Sequence, residues 1–177
     1  LYLQNAPSSR ELQLESERLV NELYFFDVLR SDRSISSNGL EARTPFLDKT
    51  FVRYYLSIPP ELKVFNSKDR IEKHLLRKAF DNGTYLPDDV LWRRKVAFSD
   101  GVSSQKKSWH KIIQNYVDSK ISDEEFFKAK DSFSHCPPLL KESYYYRKLF
   151  ESFYPNSEKL IPHFWLPKGS TVIDPSA

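Results

Sequence analysis

Residues 27–48 read DVLRSDRSISSNGLEARTPFLD: a helix-forming run, a glycine stop, a stiff turn and the start of a second helix. Asp27, Arg30, Ser34 and Ser37 recur at three- and four-residue steps, which places them on one helical face, with Arg33 close by. Asn38-Gly39 ends that helix, because glycine takes the left-handed conformation without a Cβ penalty. Thr44 precedes Pro45 and is driven toward extended geometry, so Glu41 and Arg43 lie on a stiff segment between helices. Asp48 then caps a helix beginning at about Lys49. Two guanidinium groups and a glutamate held in this way can recognise carboxylate or phosphate, since an arginine fork binds either with two parallel bonds. A structural salt-bridge network explains the same residues, and the stretch alone favours it, since most arginines and glutamates on helices are solvated or paired structurally.

Outward from that stretch the helical period persists. Ser8 stands three residues before Glu11, a capping-box spacing, and Leu12, Leu19, Leu23 and Phe26 return on one face, so one long helix is expected from about Ser9 to Ser37. Phe51, Tyr54, Tyr55 and Ile58 keep the period until Pro59-Pro60 ends it, and Lys63 to Asn66 reads as a linker. Asp69 and Glu72 form a second capping box before the stripe Ile71, Leu75, Leu76, Ala79 and Phe80, closed by Gly83. Pro87-Asp88-Asp89 starts a short helix through Trp92, with both acids at its positive end. Ser99-Asp100-Gly101 has turn chemistry. From Ser104 the set Trp109, Ile112, Ile113, Tyr116 and Val117 predicts another helix, Ser122 and Glu125 cap a further one, and Tyr145, Leu149, Phe150 and Phe153 mark a last helix before Pro155. The tail, 160–177, reads as irregular chain packed through Phe164 and Trp165. With no alternating strand pattern, the chain is expected to be mainly α, of about six helices.

Composition narrows the class. A single domain of this length buries roughly 70% of the surface its unfolded chain exposes, and 40% hydrophobic with 15% aromatic residues supports a ring-rich core. A net charge of +3 is too small to argue for nucleic acid. Cys136 is the one cysteine, which excludes an internal disulfide. No apolar run reaches the roughly 18 residues of a membrane span. The chain begins at Leu1 and contains no methionine, so it is expected to be a piece of a longer product.

The candidate chemistry is cationic. Lys95 follows Arg93 and Arg94 into the Ser-Asp-Gly turn, where an ammonium in a positive field can meet charge developing on phosphate and Asp100 can orient it. The same three cations suit the end of a short helix, and Asp100 suits a turn bonding its own backbone. His74, His110, His135 and His163 lack metal-site spacing, so no metal ligands are expected. Four glycines, at 39, 83, 101 and 169, make no phosphate-cradling loop. Tyr144 to Tyr146 beside Arg147 and Lys148 read as a helix that buries two rings and exposes one.

Four separated blocks, FDVLRSDRS at 26–34, GLEARTPFLD at 39–48, IEKHLLRKAF at 71–80 and LWRRKVAFSDG at 91–101, resemble the C-terminal part of the synthetase domain of glutamine-hydrolysing asparagine synthetases. The likeness continues through YYYRKLFESFYP at 144–155 to the DPSA end and is eukaryote-like. Thr44 departs from the family's usual aliphatic residue, Asp32 from the asparagine common in bacterial relatives, and Gly169 from the tryptophan of eukaryotic ones. The resemblance implies that residues 1–177 are the helical C-terminal portion of an α/β ATP-pyrophosphatase (adenine nucleotide alpha hydrolase-like) domain. The glutaminase and the Ser-Gly-Gly-x-Asp-Ser pyrophosphate loop would lie upstream. It implies a cytoplasmic carbon-nitrogen ligase that converts aspartate to asparagine through β-aspartyl-AMP. Its substrates would be ATP with Mg2+, held mostly upstream, and glutamine-derived ammonia. Neither nucleic acid nor membrane is implied as a partner, and a homodimer is allowed. Lys95 then matches the family's catalytic lysine, and Arg30, Arg43, Glu41 and Asp100 the substrate- and phosphate-binding positions. On this basis the piece alone is expected to be inactive; the rival is a stand-alone helical interaction module without catalysis.

Overall fold

The computed structural model describes residues 6–65, 70–96, 101–102, 108–166 and 168, the side chain of Lys130 excepted. Among these residues the regular structure is helical and no strand forms. The chain divides into two compact units, residues 1–95 and 96–177.

In the first unit, α1 runs Ser9–Glu22, and the Ser8 hydroxyl accepts from the Glu11 N–H at 3.2 Å as its capping-box spacing requires. The single long helix expected to Ser37 is instead broken. A 3-10 turn spans Leu23–Phe25, and α2 restarts over Asp27–Ser36. The break falls on Phe26, whose φ −123 and ψ −96 lie outside the helical basin. Four bulky residues, Leu23 to Phe26, follow one another here, with the Tyr24 and Phe25 ring centroids 4.0 Å apart. Rings lose side-chain freedom against the preceding helical turn, so this run disfavours continuation although no glycine or proline marks it.

The end of α2 follows the sequence. Gly39 sits at φ +68, and the Gly39 and Leu40 N–H groups donate to the Ser36 and Ile35 carbonyls at 3.0 and 3.2 Å. A Pro45–Leu47 turn leads into α3, Lys49–Ser57, and Asp48 caps it by accepting from the Thr50 and Phe51 N–H groups, each at 2.9 Å. Pro59-Pro60 ends α3, but Pro60 also opens a one-turn helix, α4, Pro60–Lys63, as proline's fixed φ allows at a first helical position. Lys63 ties these elements together: its ammonium donates to the Gln13 side chain of α1 and to the Tyr55 and Leu56 carbonyls of α3.

The expected helix behind Glu72 is shorter than its apolar stripe. Asp69 lies outside the described residues, and α5 spans only His74–Ala79 because Lys73 turns left-handed, φ 59, and ejects Glu72 from the helix. α6, Asp88–Leu91, starts after Pro87 with both aspartates in its first turn. Among the hydrophobic side chains described in this unit, only Leu12 and Leu91 are buried. An open apolar groove of about 410 Å³ runs between α1, α3 and α5, lined by Leu12, Val20, Phe51, Val52, Leu75 and Leu76 among others.

The second unit closes on itself. α7, Trp109–Asp118, is capped by Ser108, whose hydroxyl accepts from Lys111 N–H at 3.2 Å; residues 103–107, where the helix was expected to begin, lie outside the described part. α8, Asp123–Ala129, is capped by Ser122 at 3.1 Å, and α9, Lys141–Phe153, packs across α7. Val117, Ile121, Phe126 and Tyr144 are buried together, with Ile113, Ala129, Phe133 and Tyr145 against them. Fully burying one such aliphatic side chain contributes about 1.5–3 kcal/mol. The tyrosine triplet behaves as read: Tyr144 is buried, Tyr145 half-buried and Tyr146 exposed. Beyond Pro155 a short 3-10 turn, Glu158–Leu160, precedes irregular chain in which Phe164 and Trp165 are half-buried. Among the described residues no helix is long and apolar enough to cross a membrane.

Candidate functional site

Three cationic positions in the first unit carry the candidate chemistry. On α2 the Arg30 guanidinium donates to the Asp27 carboxylate one turn earlier, and both side chains stay largely exposed. Ser34 Oγ donates to the Arg30 carbonyl at 2.8 Å, so the shared face expected from their spacing forms. On the segment between Gly39 and Pro45, Arg43 Nη1 lies 3.0 Å from Glu41 Oε2, with side chains 82% and 78% exposed. A pair this exposed contributes only about 0–1 kcal/mol to stability. Its guanidinium keeps donors free toward solvent, where an anion can take them.

The third position is the best braced. Arg93 to Val96 lie outside any helix, and their cationic side chains are exposed. The Lys95 backbone N–H nevertheless donates to Glu72 Oε1 at 2.6 Å. Arg77 of α5 donates through Nη2 to the same Oε1 at 2.9 Å, through Nε to the Glu72 carbonyl at 3.0 Å, and through Nη1 to the Leu91 carbonyl at the end of α6. The Trp92 ring packs 5.5 Å from His74. Partial burial on its own would raise the Glu72 pKa, but the Lys95 N–H and the Arg77 guanidinium outweigh it and hold the carboxyl below the usual carboxylate range.

The structure therefore brings Glu41 and Arg43 together, pairs Arg30 with Asp27, and anchors Lys95 through its backbone. Among the described contacts no hydrogen bond or ion pair joins these three groups to one another. Asp100 lies outside the described residues. Among the described residues no group of three or more His, Cys, Asp or Glu side chains is placed to hold a metal ion. His110 pairs with Gln114 at 2.8 Å and His135 with the Ile161 carbonyl at 2.7 Å, as satisfied structural histidines do. Sequence reasoning missed Glu72 as a site element, because its spacing from Asp69 read as a capping box. The one pointer was its place in the block at 71–80; the left-handed turn at Lys73 has no mark in the sequence.

Comparison with known proteins follows this geometry. The asparagine synthase family profile matches residues 3–169. Over all 177 residues the chain is 50% identical to a protein of Gallus gallus, 49% to one of Rattus norvegicus and 48% to one of Homo sapiens, each named asparagine synthetase [glutamine-hydrolyzing]. These alignments cover 100% of this chain and 31% of each relative, so the chain spans about a third of their length.

Proposed function

Since the chain belongs to the asparagine synthase family, we propose that it forms the C-terminal part of the synthetase domain of a glutamine-hydrolysing asparagine synthetase. The observation that carries the assignment to a site is the cross-brace of Glu72 and Arg77, which presents Lys95 at the end of a basic strip. In this reading an oxygen of the aspartate side-chain carboxylate attacks the α-phosphorus of ATP. The bond from that phosphorus to the bridging oxygen breaks, and pyrophosphate leaves with the electron pair. Ammonia released from glutamine then attacks the acyl carbon of β-aspartyl-AMP, the carbon–oxygen bond to AMP breaks, and the nitrogen loses a proton.

Each step moves negative charge onto phosphate oxygens, and preorganised cations are the groups that stabilise such charge. Lys95 supplies a compact ammonium toward the leaving pyrophosphate. Arg30 and Arg43 supply forks for phosphate or the aspartate carboxylates, Glu41 holds Arg43, and Asp100 orients Lys95. Mg2+, when bound, neutralises the phosphate oxygens; its ligands would come from ATP itself and from residues outside the described ones. The open groove of the first unit supports the expectation that these helices pack on the sheet of an α/β ATP-pyrophosphatase-type domain. The chain alone is then inactive, because the nucleotide loop lies elsewhere. Identity of 50% over the whole chain favours this over a non-catalytic interaction module.

The test uses the full-length enzyme and aspartate carrying heavy oxygen in its side-chain carboxylate. One label should appear in the phosphate of AMP. Label in inorganic phosphate, with ADP as the other product, would replace adenylation by phosphorylation and remove the proposed roles.

A further inference from the structure

Two fixed points bracket the chain that delivers Lys95. The Leu91 carbonyl accepts from Arg77, and the Lys95 N–H donates to Glu72, while between them the Trp92 ring rests beside His74. All three anchors on the other side belong to residues 72–77, so a single short stretch sets the course of residues 91–95. Lys73 adopts a left-handed conformation that leaves Glu72 outside α5, and from there its carboxylate reaches both Arg77 of that helix and Lys95. In a regular capping box the same carboxylate would instead accept from the backbone N–H at the start of its own helix. Both donors, Lys95 N–H and Arg77 Nη2, converge on one oxygen, Oε1.

We propose that Glu72 is a positioning residue for Lys95, setting through the backbone N–H where the lysine ammonium meets the developing phosphate charge. This rests on the assignment of Lys95 made above. Glu72 need not touch substrate; its effect passes through the Lys95 backbone nitrogen and Cα into the lysine side chain. Displacing a catalytic group by about an ångström costs up to roughly 10²-fold in rate, so loss of the tether is expected to lower kcat rather than raise KM for ATP or aspartate.

The chemistry of Oε1 distinguishes this from a charge effect. Glu72→Gln keeps an oxygen able to accept from both donors and loses only the charge. Glu72→Asp keeps the charge and withdraws the oxygen by one methylene. A positioning role ranks the glutamine variant above the aspartate variant in kcat for pyrophosphate release, and a purely electrostatic role ranks them the other way.

The experiment measures pyrophosphate release and glutamine hydrolysis by the full-length enzyme carrying Glu72→Gln, Glu72→Asp, Glu72→Ala, Lys95→Ala, and Lys95→Ala combined with each Glu72 variant. The expected result is a kcat fall of roughly 10- to 100-fold for Glu72→Ala with glutamine hydrolysis retained, and a clear advantage of Gln over Asp. On the Lys95→Ala background the same changes should cost no more than about twofold, because residues acting through one another are not additive. Additive losses overturn the positioning role while leaving Lys95 in place. Undiminished pyrophosphate release by Lys95→Ala overturns the Lys95 assignment itself, and this inference with it. Should Glu72→Ala fail to fold, the Gln-over-Asp ranking decides alone, and its reversal overturns the proposal.

Discussion

Residues 108–166 bury Val117, Ile121, Phe126 and Tyr144 against one another, whereas residues 6–95 bury only Leu12 and Leu91 among their described hydrophobic side chains and leave Phe46, Tyr54 and Phe80 exposed. Side-chain caps occur in both units, at Ser8 and Asp48 in the first and Ser108 and Ser122 in the second, so capping does not explain the difference. What differs is the partner each apolar face finds. α7 and α9 face each other and close a core; α1, α3 and α5 surround an open groove. The charged pairs differ too. In the second unit Lys148 and the Tyr144 hydroxyl both donate to Glu125, at 2.7 and 3.1 Å, which ties α9 to α8. In the first, the Asp27–Arg30 and Glu41–Arg43 pairs are local and exposed.

The sharpest way to break this contrast is Lys95→Ala in the full-length enzyme. Loss of one preorganised donor is expected to lower kcat for pyrophosphate release roughly 10²–10³-fold while glutamine hydrolysis continues. Lys95→Arg should rescue poorly, because a planar fork places its charge differently from an ammonium. Equal loss of both activities would signal misfolding and erase the assignment of chemistry to the first unit.

Next in size is a core comparison by urea unfolding of the 177-residue chain. Ile121→Ala should cost about 2–5 kcal/mol, since Ile121 is 2% exposed and leaves a cavity. Leu47→Ala, at a side chain 38% exposed on the rim of the groove, should cost under about 1 kcal/mol. Similar costs would mean that the first unit has a closed core after all.

A smaller effect depends on pH. The Glu72 carboxyl is held below its ordinary value in the fold, so its stabilisation is complete above the unfolded value of about 4.3 and disappears as pH falls through the lower folded value. The stability gap between parent and Glu72→Gln, measured by denaturant titration, should therefore be largest near neutrality and close in acid. A gap that widens in acid contradicts the described bonds.

The smallest effect belongs to Glu41–Arg43. A double-mutant cycle on stability should return about 0–1 kcal/mol, as exposed pairs do. Arg43→Ala should nonetheless raise KM for aspartate or ATP in the full-length enzyme; no change in KM would reduce the pair to surface decoration.

Much of the architecture could be read from local chemistry. Ser8, Asp48 and Ser122 each cap the helix their spacing indicates, and Gly39 stops α2. Where the sequence misled, the cause was an interaction without a local signature. The break at Phe26 comes from ring crowding, and hydrophobic periodicity runs straight through it. Glu72 had the right spacing for a cap, yet its oxygen serves Lys95, twenty-three positions away, and no local pattern encodes that distance. Of the candidate residues, Arg30 was marked by helical spacing and Arg43 by a stiff local backbone, whereas the brace behind Lys95 needed the fold.

The left-handed backbone of Lys73 has a consequence for laboratory evolution. A lysine at φ 59 carries roughly 1–2 kcal/mol that glycine or asparagine would largely relieve. Libraries of the full-length enzyme selected for heat resistance alone should enrich Lys73→Gly and Lys73→Asn, since both relax the turn without moving it. Selection for turnover should be indifferent to these two, but should reject proline and β-branched residues at 73, which cannot hold the turn that aims Glu72. Sequencing the two selected pools side by side would separate what this turn costs from what it does.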